Sequence, residues 1–262
     1  ASGVLPIALG EATKTVSYTM GKSKSYEFSL AWGAETSTDD TEGEITRQSD
    51  IRPSDACIDQ ALALFHGVID QVPPDYSAKK IDGVRAYDLA RQAGTGQPLP
   101  ALKPREVRID QFRRLESDQA GARFFVGCGK GAYIRALARD LGRVLGSAAH
   151  VTSLRRLSVG QFHADHAISL DFLEKLTHSS AAFEHLYPIL SALDDIPALP
   201  VSRSEATKLR HGQKLLSMSA SAQQRFAMLV TGSTAIAIEG QTPVALVMLK
   251  AGAVCPVRVL NL

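Results

Sequence analysis

The segment Lys24-Ser-Tyr-Glu-Phe-Ser-Leu-Ala-Trp32 places Tyr26, Phe28, Leu30 and Trp32 at every second position and ends on Gly33. A period of two marks a strand with one buried and one wetter face, because successive side chains leave a pleated strand on opposite sides. The chain must therefore build a sheet and lay something apolar on it. Ala132–Leu145 supplies the cover: Ile134, Leu137, Ala138, Leu141, Val144 and Leu145 form one stripe at helical spacing, and Gly146 is placed to stop the helix.

The rest of the chain punctuates into further elements. Ser54 caps a helix running to Phe65, with Ile58, Ala61, Leu62 and Phe65 facing inward and a stop near Gly67. Val84–Ala93 reads as a short helix, residues 107–115 and 123–128 as strands, and Ile168–Leu176 and the surroundings of Leu186 as helical. The Pro-punctuated stretch 192–200 reads as a connection, with a boundary near residue 196. Beyond it come a helix over 204–210 capped by Ser204 and four short strands, Phe226–Val230, Thr234–Glu239, Val244–Leu249 and Pro256–Leu260. The expected organisation is α+β: a mixed, mainly antiparallel sheet flanked by helices over residues 1–195, then a small β-rich domain over 196–262.

Composition limits the function classes. The 262 residues are 45% hydrophobic and 21% charged, as in folded globular chains. No apolar run approaches the roughly 20 residues that span a bilayer, so no membrane partner is expected. Cys57, Cys128 and Cys255 lie far apart without a C-x-x-C pair, which argues against a disulfide framework or a cysteine zinc site and fits a reducing cytoplasm. The net charge of +2 conceals strong patterning: residues 76–156 carry 16 basic and 7 acidic side chains, whereas residues 1–75 carry 5 and 12. A basic middle of this kind suits a polyanion.

Several local motifs fail on spacing. Gly127-Cys-Gly-Lys-Gly131 precedes a helix, but Phe124 stands where a phosphate loop needs glycine and Gly131 where it needs Ser or Thr. His163 and His166 have no second ligand pair, so no metal is expected. There is no G-x-S-x-G elbow. The pair Asp39-Asp40 sits in a Thr- and Gly-rich loop, where Asx-turn bonding accounts for it.

Five stretches, in order, resemble the TruB family of tRNA pseudouridine synthases. Leu5-Pro-Ile-Ala-Leu-Gly-Glu-Ala-Thr-Lys14 is similar to the segment after the family's catalytic motif, and Lys24-Ser-Tyr26 to its strand aromatic. Residues 67–91 resemble its basic insertion, Cys128-Gly-Lys-Gly-Ala-Tyr-Ile-Arg135 its second active-site motif, and His150-Val-Thr-Ser-Leu-Arg-Arg-Leu157 its third. Leu209-Arg-His-Gly-Gln213 and Pro256-Val-Arg-Val-Leu260 are similar to a PUA-like RNA-binding domain.

The resemblance implies a pseudouridine synthase fold, no cofactor, a monomer, and the T-arm of tRNA as partner, with uridine 55 flipped out and isomerised. Tyr26 would stack on the base and handle its C5 proton, and Arg135 would orient the nucleophilic carboxylate. Tyr133 and Leu154 would wall the base pocket, while Lys79, Lys80, Arg85 and Arg91, interleaved with Tyr76 and Tyr87, would grip the T-loop. The family's nucleophile lies in G-x-x-G-T-L-D-P-x-A-S/T-G, of which Ala1-Ser2-Gly3 is the end. Residues 1–262 are thus expected to lack that Asp, to be inactive by themselves, and to leave Arg135 without a carboxylate. The alternative is a non-catalytic tRNA-binding or tRNA-folding protein.

Overall fold

The structure, a computed structural model, describes residues 1–77, 80–81, 84–85, 102–176, 180–216, 224–226 and 229–262. It divides into two compact units, Ala1–Leu5 with Gly21–Ala167, and Pro6–Met20 with Ile168–Leu262.

The first unit is a seven-stranded sheet in the order β1-β10-β2-β9-β8-β5, with β11 added to β10. Its strands are β1 (Ser2–Gly3), β2 (Lys24–Trp32), β5 (Gly67–Gln71), β8 (Arg105–Ser117), β9 (Gly121–Cys128), β10 (Ala149–Val159) and β11 (Phe162–His163). Two hairpins, β3 (Ala34–Thr36) with β4 (Ile45–Gln48) and β6 (Lys80–Ile81) with β7 (Val84–Arg85), stand apart from the sheet. All pairings in the main sheet are antiparallel except β1 on β10.

The alternation in β2 is borne out, since Phe28, Leu30 and Trp32 are buried and Tyr26 packs against the same core. Phe28 stacks on Phe124 at 5.3 Å between ring centroids, and Phe112 lies 5.5 Å from Phe124. Such aromatic contacts contribute beyond their buried area. The helix Ile134–Val144 lays Ile134, Leu137, Ala138 and Leu141 into that core. It lies close to β10: a Cβ on Gly142 would come within 2.9 Å of the Ala149 Cβ, so only glycine fits there. The helix Asp55–Leu62 starts where expected, with Ser54 Oγ accepting from the Cys57 N–H, and buries Ile58, Ala61 and Leu62. At the edge of the sheet, Gly3 has φ +107 and a Cβ would meet the Arg156 carbonyl at 2.1 Å, so β1 can approach β10 only with glycine at this position.

The second unit is a five-stranded sheet, β12-β14-β15-β16-β13, of β12 (Ala198–Pro200), β13 (Leu215–Leu216), β14 (Thr234–Glu239), β15 (Thr242–Lys250) and β16 (Ala253–Val259). Residues from the N-terminal part complete it: Lys14 Nζ donates to the Val259 carbonyl at 2.8 Å, the Asn261 N–H donates to Glu11 Oε2, and Tyr18 packs with Leu193, Ile236, Leu246 and Leu260.

Four local expectations are corrected. Val84–Arg85 is strand rather than helix, paired with Lys80–Ile81 in antiparallel register, and residues 82–83 and 86–93 lie outside the described set. The helix Arg203–Arg210 is capped by Ser202, not Ser204, because Ser202 and Glu205 satisfy each other's backbone N–H groups in a capping box. Residues 224–226 are helical rather than strand, which still buries Phe226 in the second core. Ala198–Pro200, read as part of a connection, pairs in parallel with Ile236–Ile238.

Candidate active site

The helix Ile134–Val144 presents Arg135, Arg139 and Arg143 at four-residue intervals, hence on one face, to the acidic segment Glu35–Asp40. Each arginine meets one acid of that segment. Arg135 Nη1 lies 2.8 Å from Asp40 Oδ2, Arg139 Nη1 lies 3.0 Å from Asp39 Oδ2, and Arg143 Nη2 lies 2.7 Å from Glu35 Oε2. Arg47 reaches the other side of Glu35.

Arg135 joins two segments of the chain. Besides Asp40, its Nη1 donates to the Thr38 carbonyl at 2.8 Å and its Nη2 to the Tyr76 carbonyl at 2.7 Å. These bonds take three of its five N–H groups among the described residues, and two remain for another acceptor. Arg135 is therefore not left unpaired: Asp40 is its carboxylate here. The Asx-turn reading of Asp40 covers one of its oxygens, since Oδ1 accepts from Thr38 Oγ1 at 2.5 Å and from the Glu42 N–H at 3.1 Å, while Oδ2 faces the arginine. Burial favours the neutral acid, but these hydrogen bonds and the Arg135 charge outweigh it and hold the Asp40 carboxyl below the usual aspartate range. An ionised Asp40 keeps Arg135 in place.

The loop carrying these acids is joined to the main sheet. Asp40 bridges to Val151 in β10, and the Val151 N–H donates to the Asp39 carbonyl at 3.0 Å. Three residues further along β10, Leu154 stands opposite Phe28 and packs on the core from a half-buried position. Arg156 follows, opposite Tyr26. Burial raises the Tyr26 phenol above its ordinary value, with Cys128 adding to the shift and Arg156 opposing it, so the ring is a neutral phenol at physiological pH. Arg156 Nε also donates to the Val4 carbonyl at 2.7 Å, tying the residues after Ser2-Gly3 to the strand that faces Tyr26.

Tyr133 caps the N-terminus of the arginine-bearing helix. The buried amide of Gln71 clamps it, accepting from the Tyr133 N–H at 2.8 Å and donating to the Tyr133 carbonyl at 3.1 Å. Arg105 lies over the Tyr133 ring, 5.0 Å from its centroid, and donates to the Gly131 carbonyl at 2.9 Å. The structure thus gathers Arg135 with the Tyr76 backbone, and sets Tyr26 beside the strand that carries Leu154. Lys80 and Arg85 are opposite each other in a hairpin, while Lys79 and Arg91 lie outside the described residues. The sequence reads Asp40 only as a turn residue and does not mark Gln71; the four-residue spacing of the arginines opposite an acidic segment was the available signal for Asp40's second role, and nothing local marked Gln71.

Comparison with known proteins gives the family. The tRNA pseudouridine synthase B of Caulobacter vibrioides is 44% identical over 264 residues, covering 100% of this chain and 84% of that protein. The same enzyme of Rhodospirillum rubrum is 44% identical over 263 residues with the same shares, 100% and 84%. In fold, the chain is similar to a solved Cbf5-Nop10-Gar1 complex, with a TM-score of 0.68 and 21% identity over 99% of this chain and 73% of that one. It is also similar to an H/ACA RNP bound to a substrate RNA containing 2'-deoxyuridine, with a TM-score of 0.67 and 20% identity over 99% and 73% of the two chains. These likenesses show the pseudouridine synthase fold, a mixed and mainly antiparallel sheet with flanking helices. Residues 1–134 match the TruB family pseudouridylate synthase N-terminal domain and residues 135–196 the tRNA pseudouridylate synthase B C-terminal domain. The chain belongs to the TruB family of pseudouridine synthases.

Proposed function

We propose that this protein is a tRNA pseudouridine synthase that isomerises uridine 55 in the T-arm. The observation that carries the reading is Arg135, fixed by Asp40 and two backbone carbonyls with two N–H groups to spare among the described residues. An arginine held in this way, with N–H groups free to form a further hydrogen-bonded pair, is suited to orient a second carboxylate and keep it ionised, which is what nucleophilic attack on a uridine requires. The C1′–N1 glycosidic bond breaks, the uracil turns within its pocket, C5 bonds to C1′ of the ribose as the carboxylate is released, and the proton lost from C5 is matched by one gained at N1. No redox partner is needed to balance these steps.

In this reading Tyr26 stacks on the flipped base and handles the C5 proton, since a neutral phenol can donate and accept within one hydrogen-bond network. Leu154 and Tyr133 wall the pocket. Lys79, Lys80, Arg85 and Arg91, with Tyr76, contact phosphates and bases of the T-loop, and the β-rich unit supplies further RNA contact. No metal or cofactor takes part, and the protein works as a monomer in the cytoplasm.

The nucleophile is assigned to the Asp of the family motif whose last residues are Ala1-Ser2-Gly3. Asp39 and Asp40 are each engaged by an arginine and neither lies in that motif. Residues 1–262 alone should bind tRNA and form no pseudouridine, and the same chain with the motif's residues placed ahead of Ala1 should form it. Binding without turnover in both would favour the tRNA-folding alternative.

A further inference from the structure

The ion pair one helical turn beyond Arg135 is more deeply buried than the Arg135 pair itself. Side-chain exposure is 10% for Arg139 and 8% for Asp39, against 25% and 23% for Arg135 and Asp40. Burying two charges costs several kcal/mol and is often matched or exceeded in stability by an apolar pair of the same size, so such a pair is weak evidence of a purely stabilising role. Asp39 adds a second cost. It is a non-glycine residue with φ +60, in the left-handed region.

The two arginines grip the same two segments. Arg135 bonds to the Thr38 carbonyl and Asp40 on one side and to the Tyr76 carbonyl on the other. Arg139 bonds to Asp39 on the first segment and, through Nη2 at 2.8 Å, to the Val72 carbonyl on the second, while Nε reaches Asp140 at 2.9 Å. The segment 72–76 leads into the basic stretch beginning at residue 79, and the segment 38–40 holds the acid that fixes Arg135. Arg139 is the bracket that holds both at a set distance from the helix.

We infer that Asp39 and Arg139 form a positioning pair for the reaction, setting Arg135 and the start of the basic insertion without touching substrate. The inference rests on the pseudouridine synthase reading above. It also implies a dependence on proton uptake by Asp39. The charged groups acting on that carboxyl are Arg139, Arg143, Arg135 and Asp140 from the helix, with Asp40 next to it on its own loop and Glu35 held by Arg143. Burial wins over the arginines and pushes Asp39 up to about 6. Below that pH Arg139 faces a neutral acid and the bracket loosens.

The test is single-turnover and steady-state kinetics across pH 5 to 8, on the chain extended by the family's aspartate motif. The variants are Asp39→Asn, which tolerates left-handed backbone, Arg139→Gln, and the conservative Arg139→Lys. The expected result is a wild-type kcat that falls about tenfold or more on acidification through pH 6, and an Asp39→Asn kcat that starts at the low value and stays flat, with KM for tRNA within about threefold. Arg139→Gln should match it, the double variant should be no worse than either, and Arg139→Lys should recover part of the loss. Values of kcat within about twofold of wild type in both single variants, with the wild-type pH profile retained, would overturn the role. If neither variant folds, a wild-type profile without a step near pH 6 overturns it equally. A wild-type enzyme that forms no pseudouridine contradicts the functional reading itself, and the two failures are thereby distinguished.

Discussion

Arg135 and Asp40 are 95 positions apart in the chain and 2.8 Å apart in space. The helix that carries the arginine is anchored in the core by Ile134 and Leu137, and the loop that carries the aspartate is sewn to β10 at Val151. Neither partner can drift independently. In the chain extended by the family's aspartate motif, the proposed role predicts that Arg135→Ala reduces turnover by about 100-fold or more while leaving tRNA affinity within about threefold, because an ion pair at a reacting centre acts chiefly in the transition state. Asp40→Asn should move turnover in the same direction by a smaller factor, since Thr38 and Tyr76 carbonyls still hold the guanidinium. Single-turnover rates and filter binding on one set of variants check both, and unchanged turnover in Arg135→Ala would remove it from the site.

Tyr26→Phe keeps the ring and its packing against the core but deletes the hydroxyl. Affinity should be nearly unchanged and turnover should fall by about 100-fold, in the range expected for a lost proton-transfer group. A Phe variant with full activity would leave Tyr26 as a stacking residue alone.

For the basic insertion the pattern inverts. Replacing Lys79, Lys80 and Arg85 by Ala should weaken tRNA binding and lower the slope of log Kd against log salt by up to about three phosphate contacts. Single-turnover rates at saturating enzyme should change little. An unaltered salt slope would place these side chains off the RNA.

Asp39 makes a prediction about stability that is independent of activity. Burial pushes its carboxyl up to about 6 in the folded chain, above the ordinary aspartate value of about 3.9. Between these values the folded state holds a proton that the unfolded state has lost, so this residue's contribution is fully present below about pH 4 and is lost as pH rises through 6. The change is on the order of 2 kcal/mol. Asp40 has the opposite sign: its lowered folded value contributes stability at neutral pH that is lost only as the carboxyl is protonated in acid. Denaturant melts of wild type and Asp39→Asn at pH 4 and pH 7 should show the variant gaining relative to wild type as pH rises. A pH-independent difference would assign Asp39 an ordinary titration.

The parts of the fold that were legible in the sequence are those with a local signal. The period of two in β2, the stripe of the 134–144 helix, the Ser54 cap and the strand Thr234–Glu239 all fall where the pattern puts them. The misplaced cap had a local answer as well, because Ser202 with Glu205 is an S-x-x-E box that Ser204 cannot make with any glutamate three residues on. What was not legible depended on the meeting of distant elements. Asp40 reads as a turn residue because one of its oxygens is one, and only the placement of its loop against β10 and the helix reveals the other oxygen's partner. Gln71 is an ordinary strand residue until its amide is seen bonded to both backbone groups of Tyr133.

The most direct measurement is tritium release from a tRNA transcript labelled at C5 of its uridines, with residues 1–262 and with the same chain extended by the family motif's G-x-x-G-T-L-D-P-x residues ahead of Ala1. The extended chain should release about one tritium per tRNA, abolished when uridine 55 is replaced by cytidine, and residues 1–262 alone should bind the transcript and release none. Absence of release from the extended chain would contradict the assignment as a tRNA pseudouridine synthase, and release by residues 1–262 alone would contradict the assignment of the nucleophile.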